Sequence, residues 1–336
     1  MKDLHDKYQT YRCIRKRVWD EATFSPDSVQ HDQNKNLLKS KITNLCRESD
    51  LSRFRGSSDR VKNSIWHHMW TKIRYAGIKA EIASTEISDI SFIFDHYENF
   101  FDGKWNIKIE WDKKEKKHKL VEAGSLIEDF LSRTGVFEKR QTVGNLVKLN
   151  KTIGLARAYG KFVKSHDPIQ FVTLGADEND IWKIHEHLQG IGYTSDLTAL
   201  HFMMDIGFQV IKPDIVISRL FLHLGWLHDI VYNLPDDITD DDLVGKGKYK
   251  SKFQYTSPKL YKPIIDLTRQ ILKNNNSDDL KHDIGWSTNN PIREFDIFMV
   301  KYGQEPEKKW GLTKNLSRGL GADLAKTSKC PSSTGS

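Results

Sequence analysis

The sequence predicts a mainly α-helical protein with one small β-hairpin inserted among its helices. Apolar residues recur at helical spacing through most of the chain, as in Val61, Ile65, Met69 and Ile73. Strict alternation occurs in one place, where Trp105, Ile107, Ile109 and Trp111 are separated by polar residues in the manner of a half-buried strand. The balance of 38% hydrophobic and 29% charged residues is that of a water-soluble globular chain. At 336 residues it is long enough for one large or two medium domains.

In chain order, Tyr8, Tyr11, Ile14 and Val18 outline an amphipathic helix, followed by a polar stretch at 30–36. Together they read as an N-terminal extension, 1–58, packed on the body. The next region, 59–170, is expected to be a helical subdomain. It begins with a helix over 60–80 that Gly77 would stop, and a short helix follows over Ser84–Phe101. The hairpin falls near 104–121, turning at Asp112–Lys117 and returning through His118–Val121. Its lysine-rich tip is either a solvated turn or a finger that touches DNA. Helical patterns resume at Leu126–Thr134, Val143–Lys164 and 178–232. The stretch 235–257 breaks them, passing from aspartates to lysines. Those aspartates lack the glycine and final glutamate of a calcium loop and read as a solvated helix start or loop. Helices over 235–317 complete the body. There Asn290 caps, Pro291 opens and Gly303 closes a helix with Ile292, Phe295, Met299 and Tyr302 on one face. Residues 318–336, rich in Gly, Ser and Lys, are expected to be a disordered tail.

A net charge of +7 and a pI near 9.0 favour polyanionic partners. No run of apolar residues is long enough for a membrane span, and no secretory leader is evident at the start. A cytoplasmic, nucleoid-associated protein with no membrane partner is the expectation. Three well-separated cysteines, Cys13, Cys46 and Cys330, cannot assemble a four-thiolate metal or iron–sulfur site. His67 and His68 point about 100° apart on a helix and make a poor chelating pair, so no catalytic metal is expected.

The chemistry concentrates in 171–234. A helical stretch ends in Leu188-Gln189-Gly190-Ile191-Gly192, where two glycines flanking one apolar residue permit a tight turn. Thr194 or Ser195 can cap the helix that follows, with Leu197, Leu200 and Met204 on its apolar face. The turn would then direct peptide N–H groups at an anion. The alternative is an ordinary corner between two helices. Further on, Lys212-Pro213-Asp214 precedes the apolar helical run Ile217, Leu220, Leu224. A carboxylate at such a helix mouth is either a simple N-cap or a functional group, and it can be both.

In these residues the chain resembles the helix-hairpin-helix DNA glycosylase superfamily. The likeness runs through Leu188, Gly190-Ile191-Gly192, Ala199, Lys212-Pro213-Asp214, Arg219 and Leu224-Gly225, with looser similarity at Leu126–Arg140 and Phe295–Gly303. It implies a two-subdomain helical fold that binds double-stranded DNA, here as a monomer. Asp214 would be the catalytic carboxylate. It would stabilise positive charge on the deoxyribose as the N-glycosidic bond of a flipped-out base breaks. Gly190, Ile191, Gly192, Tyr193 and Thr194 would hold the DNA phosphate through the hairpin, with Lys212 and Arg219 as further DNA contacts. The backbone carbonyls of Glu186, Leu188 and Ile191 would coordinate a monovalent cation, K+ or Na+. Bifunctional members carry a lysine nucleophile where this chain has Thr194, which cannot form a Schiff base. The implied activity is therefore a monofunctional DNA glycosylase. The alternatives are a glycosylase with lyase activity and a non-catalytic helix-hairpin-helix DNA-binding accessory of repair or restriction. The aromatic stretch 66–75 offers Arg74 or Tyr75 as a wedge and Trp66 or Trp70 as base-pocket walls; aromatics at helical spacing otherwise build core.

Overall fold

A computed structural model describes residues 4–25, 27–49, 58–75, 80–134, 143–166, 181–193, 195–249, 252–273 and 277–303. Gly77, Thr194, Cys330, residues 135–140 and the tail 318–336 lie outside the described residues. Among the described residues the protein is mainly α, with fourteen α-helices and one two-stranded antiparallel hairpin. It divides into two compact units, one built from residues 1–50 and 209–336, the other from 51–208. The boundary at 208/209 falls inside the region 171–234.

In the first unit, α1 (Leu4–Thr23) buries Tyr8, Tyr11, Ile14 and Val18, the stripe read from the sequence. The polar stretch after it is not a loop. It belongs to α2 (Ser28–Glu48), started by Asp27, whose Oδ1 accepts the N–H groups of Val29 (2.8 Å) and Gln30 (3.1 Å). Later in the chain come α9 (Ile215–His223), α10 (Trp226–Ile230), α11 (Asp240–Leu243), α12 (Pro258–Lys273), α13 (Ser277–Ile284) and α14 (Pro291–Gly303). Helix α14 packs against α1, α2, α9 and α12 and is the spine of the unit. Its Ile292, Phe295, Met299 and Tyr302 are buried, and Asn290 Oδ1 caps the Arg293 N–H at 3.1 Å.

One fully buried ion pair ties α1 into this core. Arg15 Nε donates to Glu294 Oε1 at 2.6 Å, while its Nη atoms reach the Leu280 and Trp286 carbonyls at 2.6 and 2.7 Å. Glu294 Oε2 accepts the Thr288 N–H at 2.7 Å, so both charges are enclosed and hydrogen-bonded. The aspartates near 240 are not all solvated either. Asp242 is buried, with Oδ2 accepting the N–H and hydroxyl of Thr239 and Oδ1 accepting the Tyr249 N–H.

The second unit contains α3 (Ser58–Tyr75), α4 (Ala80–Phe94), β1 (Ile107–Asp112), β2 (Lys117–Ala123), α5 (Ser125–Thr134), α6 (Val143–Ser165), α7 (Ile181–Gly190) and α8 (Asp196–Ile206). Central to it is α3, which packs on α4, α6 and α8. Trp66 stacks on Tyr159 at 5.8 Å and donates to the Phe94 carbonyl, while Trp70 meets Phe94 at 5.3 Å and donates to Asp95. Phe100, Trp105 and Phe130 continue this aromatic chain to the base of the hairpin. There Gly124 donates to the Asn106 carbonyl at 2.8 Å, and a Cβ at Gly124 would fall 2.2 Å from the Lys104 carbonyl oxygen. The strands pair Ile109 with Leu120 and Trp111 with His118. At the tip, Lys119 is held by Asp112 (2.6 Å) and Glu115 (2.9 Å), whereas Lys113, Lys114 and Lys116 are exposed.

Candidate functional site

The two stretches singled out in the sequence lie in different units, and each has its own geometry. In the second unit, α7 and α8 pack together on either side of residues 191–193 and Ser195. Gly192 has φ +87°, a left-handed conformation that glycine adopts without the Cβ penalty. That turn sends the N–H groups inward. Ile191 donates to the His187 carbonyl (3.1 Å), Gly192 to Gln189 (2.9 Å) and Tyr193 to Leu188 (3.1 Å). This is a helix C-terminal closure in which the turn satisfies the last carbonyls of α7. The expected presentation of the Gly192 and Tyr193 N–H groups to a phosphate is thereby corrected, because both are spent on the helix they follow.

Of the carbonyls expected to hold a cation, that of Leu188 accepts the Tyr193 N–H, and Glu186 lies within α7. Tyr193 is buried, its hydroxyl donating to the Met69 carbonyl at 2.8 Å, which fastens the turn to α3. Ser195, rather than Thr194, caps α8, its Oγ accepting the Thr198 N–H at 3.2 Å. Beside the turn, α6 and α7 border a shallow groove of about 730 Å³ that runs to Gly190 and Ile191. Lys161, Lys183, Glu186, His166 and His187 line it, a polar and aromatic wall of which the sequence reading picked out only Glu186, for its backbone carbonyl.

The wedge and pocket candidates are mostly interior. Trp66, Trp70 and Arg74 are at most 1% exposed and serve the core around α3. A side chain enclosed in this way cannot enter a base stack, so these three are corrected to core residues. Tyr75 is partly exposed and carries the cation–π contact of Lys72, at 5.2 Å.

In the first unit, Asp214 starts α9. Pro213 sits at the centre of a tight turn in which the Asp214 N–H donates to the Lys212 carbonyl at 2.7 Å. From there Asp214 Oδ1 accepts the N–H groups of Val216 (2.9 Å) and Ile217 (3.2 Å). The N-cap expected of Asp214 is therefore present. Among the described residues Oδ2 has no hydrogen-bond donor, and the residue is half-buried. Arg219, one turn further along, pairs with Asp240 Oδ2 at 3.6 Å, and His223 meets the same carboxylate at 3.1 Å. The DNA contact expected of Arg219 thus has a competitor inside the unit.

Behind Asp214 stands an acid that the sequence reading passed over. Asp296, on α14, is 6% exposed; Oδ2 pairs with Arg293 Nη1 at 3.2 Å, while Oδ1 is buried without a well-formed hydrogen bond. Burial pushes this carboxyl up to about 6 against the opposing pull of Arg293. The charge of Asp214 adds to the rise, and Lys212 opposes it through its side chain and backbone N–H. The signal in the sequence was an acid within the apolar run Phe295-Asp296-Ile297-Phe298, three residues after Arg293.

No known protein family, curated protein or solved structure matches this chain. Its chemistry therefore has to be read from its own residues. Among the described residues no group of three or more His, Cys, Asp or Glu is arranged to hold a metal ion, and no helix is long and apolar enough to cross a membrane.

Proposed function

We propose that this protein is a monofunctional DNA glycosylase, acting on double-stranded DNA as a monomer in the cytoplasm with the helix-hairpin-helix glycosylase fold. The observation that carries the reading is the Asp214 carboxylate. One oxygen is fixed by the start of α9, and the other has no donor among the described residues. A fixed, half-buried anion of this kind stabilises an oxocarbenium-like transition state without reorganising as charge develops. The C1′–N bond breaks with its electron pair leaving on the base. Water adds to C1′, its proton passing to Asp214 or to solvent, and an abasic site remains. Flipping brings the target base out of the stack. The groove beside Gly190 and Ile191, where Lys161 and Lys183 outnumber Glu186, supplies attraction to phosphate. Thr194 stands where a lyase would need an amine, which favours water as the nucleophile.

The test is mass spectrometry of free bases released from duplexes that carry damaged, mispaired and modified bases, comparing wild type with Asp214→Asn. Release by wild type that the variant loses supports the reading; no release from any duplex refutes it. A second reading, a non-catalytic DNA-binding protein, is favoured by one observation: Asp214 already serves as a helix cap. It predicts equal DNA affinity for wild type and Asp214→Asn with no base released by either.

A further inference from the structure

We propose that Asp296 is a positioning residue of the Asp214 site. It is a second carboxylate that steadies the Lys212–Asp214 turn from α14, and its ionised form reinforces the negative potential around Asp214. The inference rests on the glycosylase reading for its rate effect, but not for the coupling between the two acids.

The argument starts from what α14 needs. A purely structural acid in a helical core is enclosed with its partners complete, as Glu294 is two residues earlier, where Arg15 and the Thr288 N–H take both oxygens. Asp296 is enclosed almost as deeply, yet its Oδ1 lacks a well-formed hydrogen bond. Leaving a buried carboxylate oxygen so poorly matched is unfavourable. The groups that face it explain the placement. Arg293 on its own helix is its ion-pair partner, and Lys212 and Asp214 face it from the turn ahead of α9. From α2 comes Cys46, whose thiol burial pushes up to about 11, so that it is neutral. On α1, Arg15 is committed to Glu294, and the buried face of α12 carries no charged side chain. Of the charges that act on Asp296, that of Asp214 is the one of like sign.

The chemical consequence has a definite sign. Below about pH 6 Asp296 holds a proton. Above it, Asp296 ionises and the potential at the sugar becomes more negative. That favours a cationic transition state. Asp296 is too enclosed to touch the leaving base, so it acts through Asp214 and not as a proton donor.

The first measurement needs no activity: carboxyl carbons are followed by NMR through a pH titration of the full chain, in wild type and in Asp214→Asn. Asp296 is expected to titrate near pH 6 in wild type and at a lower pH once the Asp214 charge is gone. An Asp296 titration that is the same in both proteins overturns the coupling. The second is the single-turnover rate of base release between pH 5 and 8 for wild type, Asp296→Asn and Asp296→Glu. Wild type is expected to rise through about pH 6. Asp296→Asn should lose that inflection and run about 10-fold slower at pH 7.5, the equivalent of one pKa unit of interaction. Asp296→Glu should restore the inflection, and DNA affinity should stay level throughout. A wild-type inflection that survives in Asp296→Asn overturns the rate role. If wild type releases no base, the glycosylase reading fails while the titration still decides the pairing.

Discussion

The turns ahead of α8 and α9 solve the same problem and leave different chemistry behind. Each begins a helix whose first N–H groups lack intrahelical acceptors. At 191–195 the closure is made with backbone and hydroxyl. Three N–H groups return to carbonyls of α7, Ser195 caps α8, and Tyr193 seals the turn against α3. At 212–214 the closure is made with a carboxylate, and one oxygen suffices for two N–H groups. In the first turn the N–H groups of Ile191, Gly192 and Tyr193 are consumed; in the second, Asp214 Oδ2 has no donor among the described residues. A helix started by Asp can therefore carry chemistry at no cost to its own geometry.

The sharpest way to break this comparison is Asp214→Asn. Asparagine caps nearly as well as aspartate, so the melting temperature should change little. Base release should nevertheless fall by about 10²–10³-fold, the usual loss when one preorganised electrostatic group is removed. A variant that keeps its rate would reduce Asp214 to a cap and make the two turns equivalent.

Next in size is the pH dependence of stability behind that turn. The folded pKa of Asp296 lies above the usual carboxylate value, so the native state binds the extra proton between about pH 4 and 6. Its contribution to stability is thus lost as pH rises through that window. The difference in unfolding free energy between Asp296→Asn and wild type should move toward the variant by about 2 kcal/mol from pH 4 to 7. Denaturant melts at several pH values measure it, and a flat difference would show that Asp296 ionises freely.

What the sequence revealed depended on whether a local pattern was enough. The face of α1 was legible because Tyr8, Tyr11, Ile14 and Val18 stand at helical steps. The hairpin was legible because period-two alternation occurs in one place. Helix α2 was not, since only Leu38, Ile42 and Cys46 are buried along a polar surface and its start depends on Asp27. The N-cap of α9 could be read from Pro213-Asp214 alone. The direction of the 191–193 N–H groups could not, because it turns on the backbone angle of Gly192. Trp66 and Trp70 were offered both as pocket and as core, and only packing against Tyr159 and Phe94 separates the two. Asp296 escaped because a search for apolar stripes passes over the acid inside one.

On the other side of the comparison, Tyr193→Phe tests whether the first turn is structural. Removing the hydroxyl leaves the Met69 carbonyl without a donor that reaches it at 2.8 Å in a buried setting. The expected loss is about 1.5 kcal/mol in a urea melt, with base release by the folded protein unchanged. A selective loss of DNA affinity at unchanged stability would instead return a binding role to this residue.

The smallest effect expected is that of the caps themselves, and it isolates what differs between them. Ser195→Ala removes the acceptor of the Thr198 N–H and should cost about 1 kcal/mol of stability with no change in rate. Asp214→Ser is the reciprocal exchange: it gives α9 the kind of cap that α8 has. Stability should then be close to wild type, because serine and aspartate cap comparably, yet base release should fall as far as in Asp214→Asn. If serine preserved activity, the oxygen that matters would be a hydrogen-bond acceptor and not an anion. The difference between the turns would then lie in exposure rather than charge. Loss of activity with the cap intact places the difference in the charge, which one turn has and the other does not.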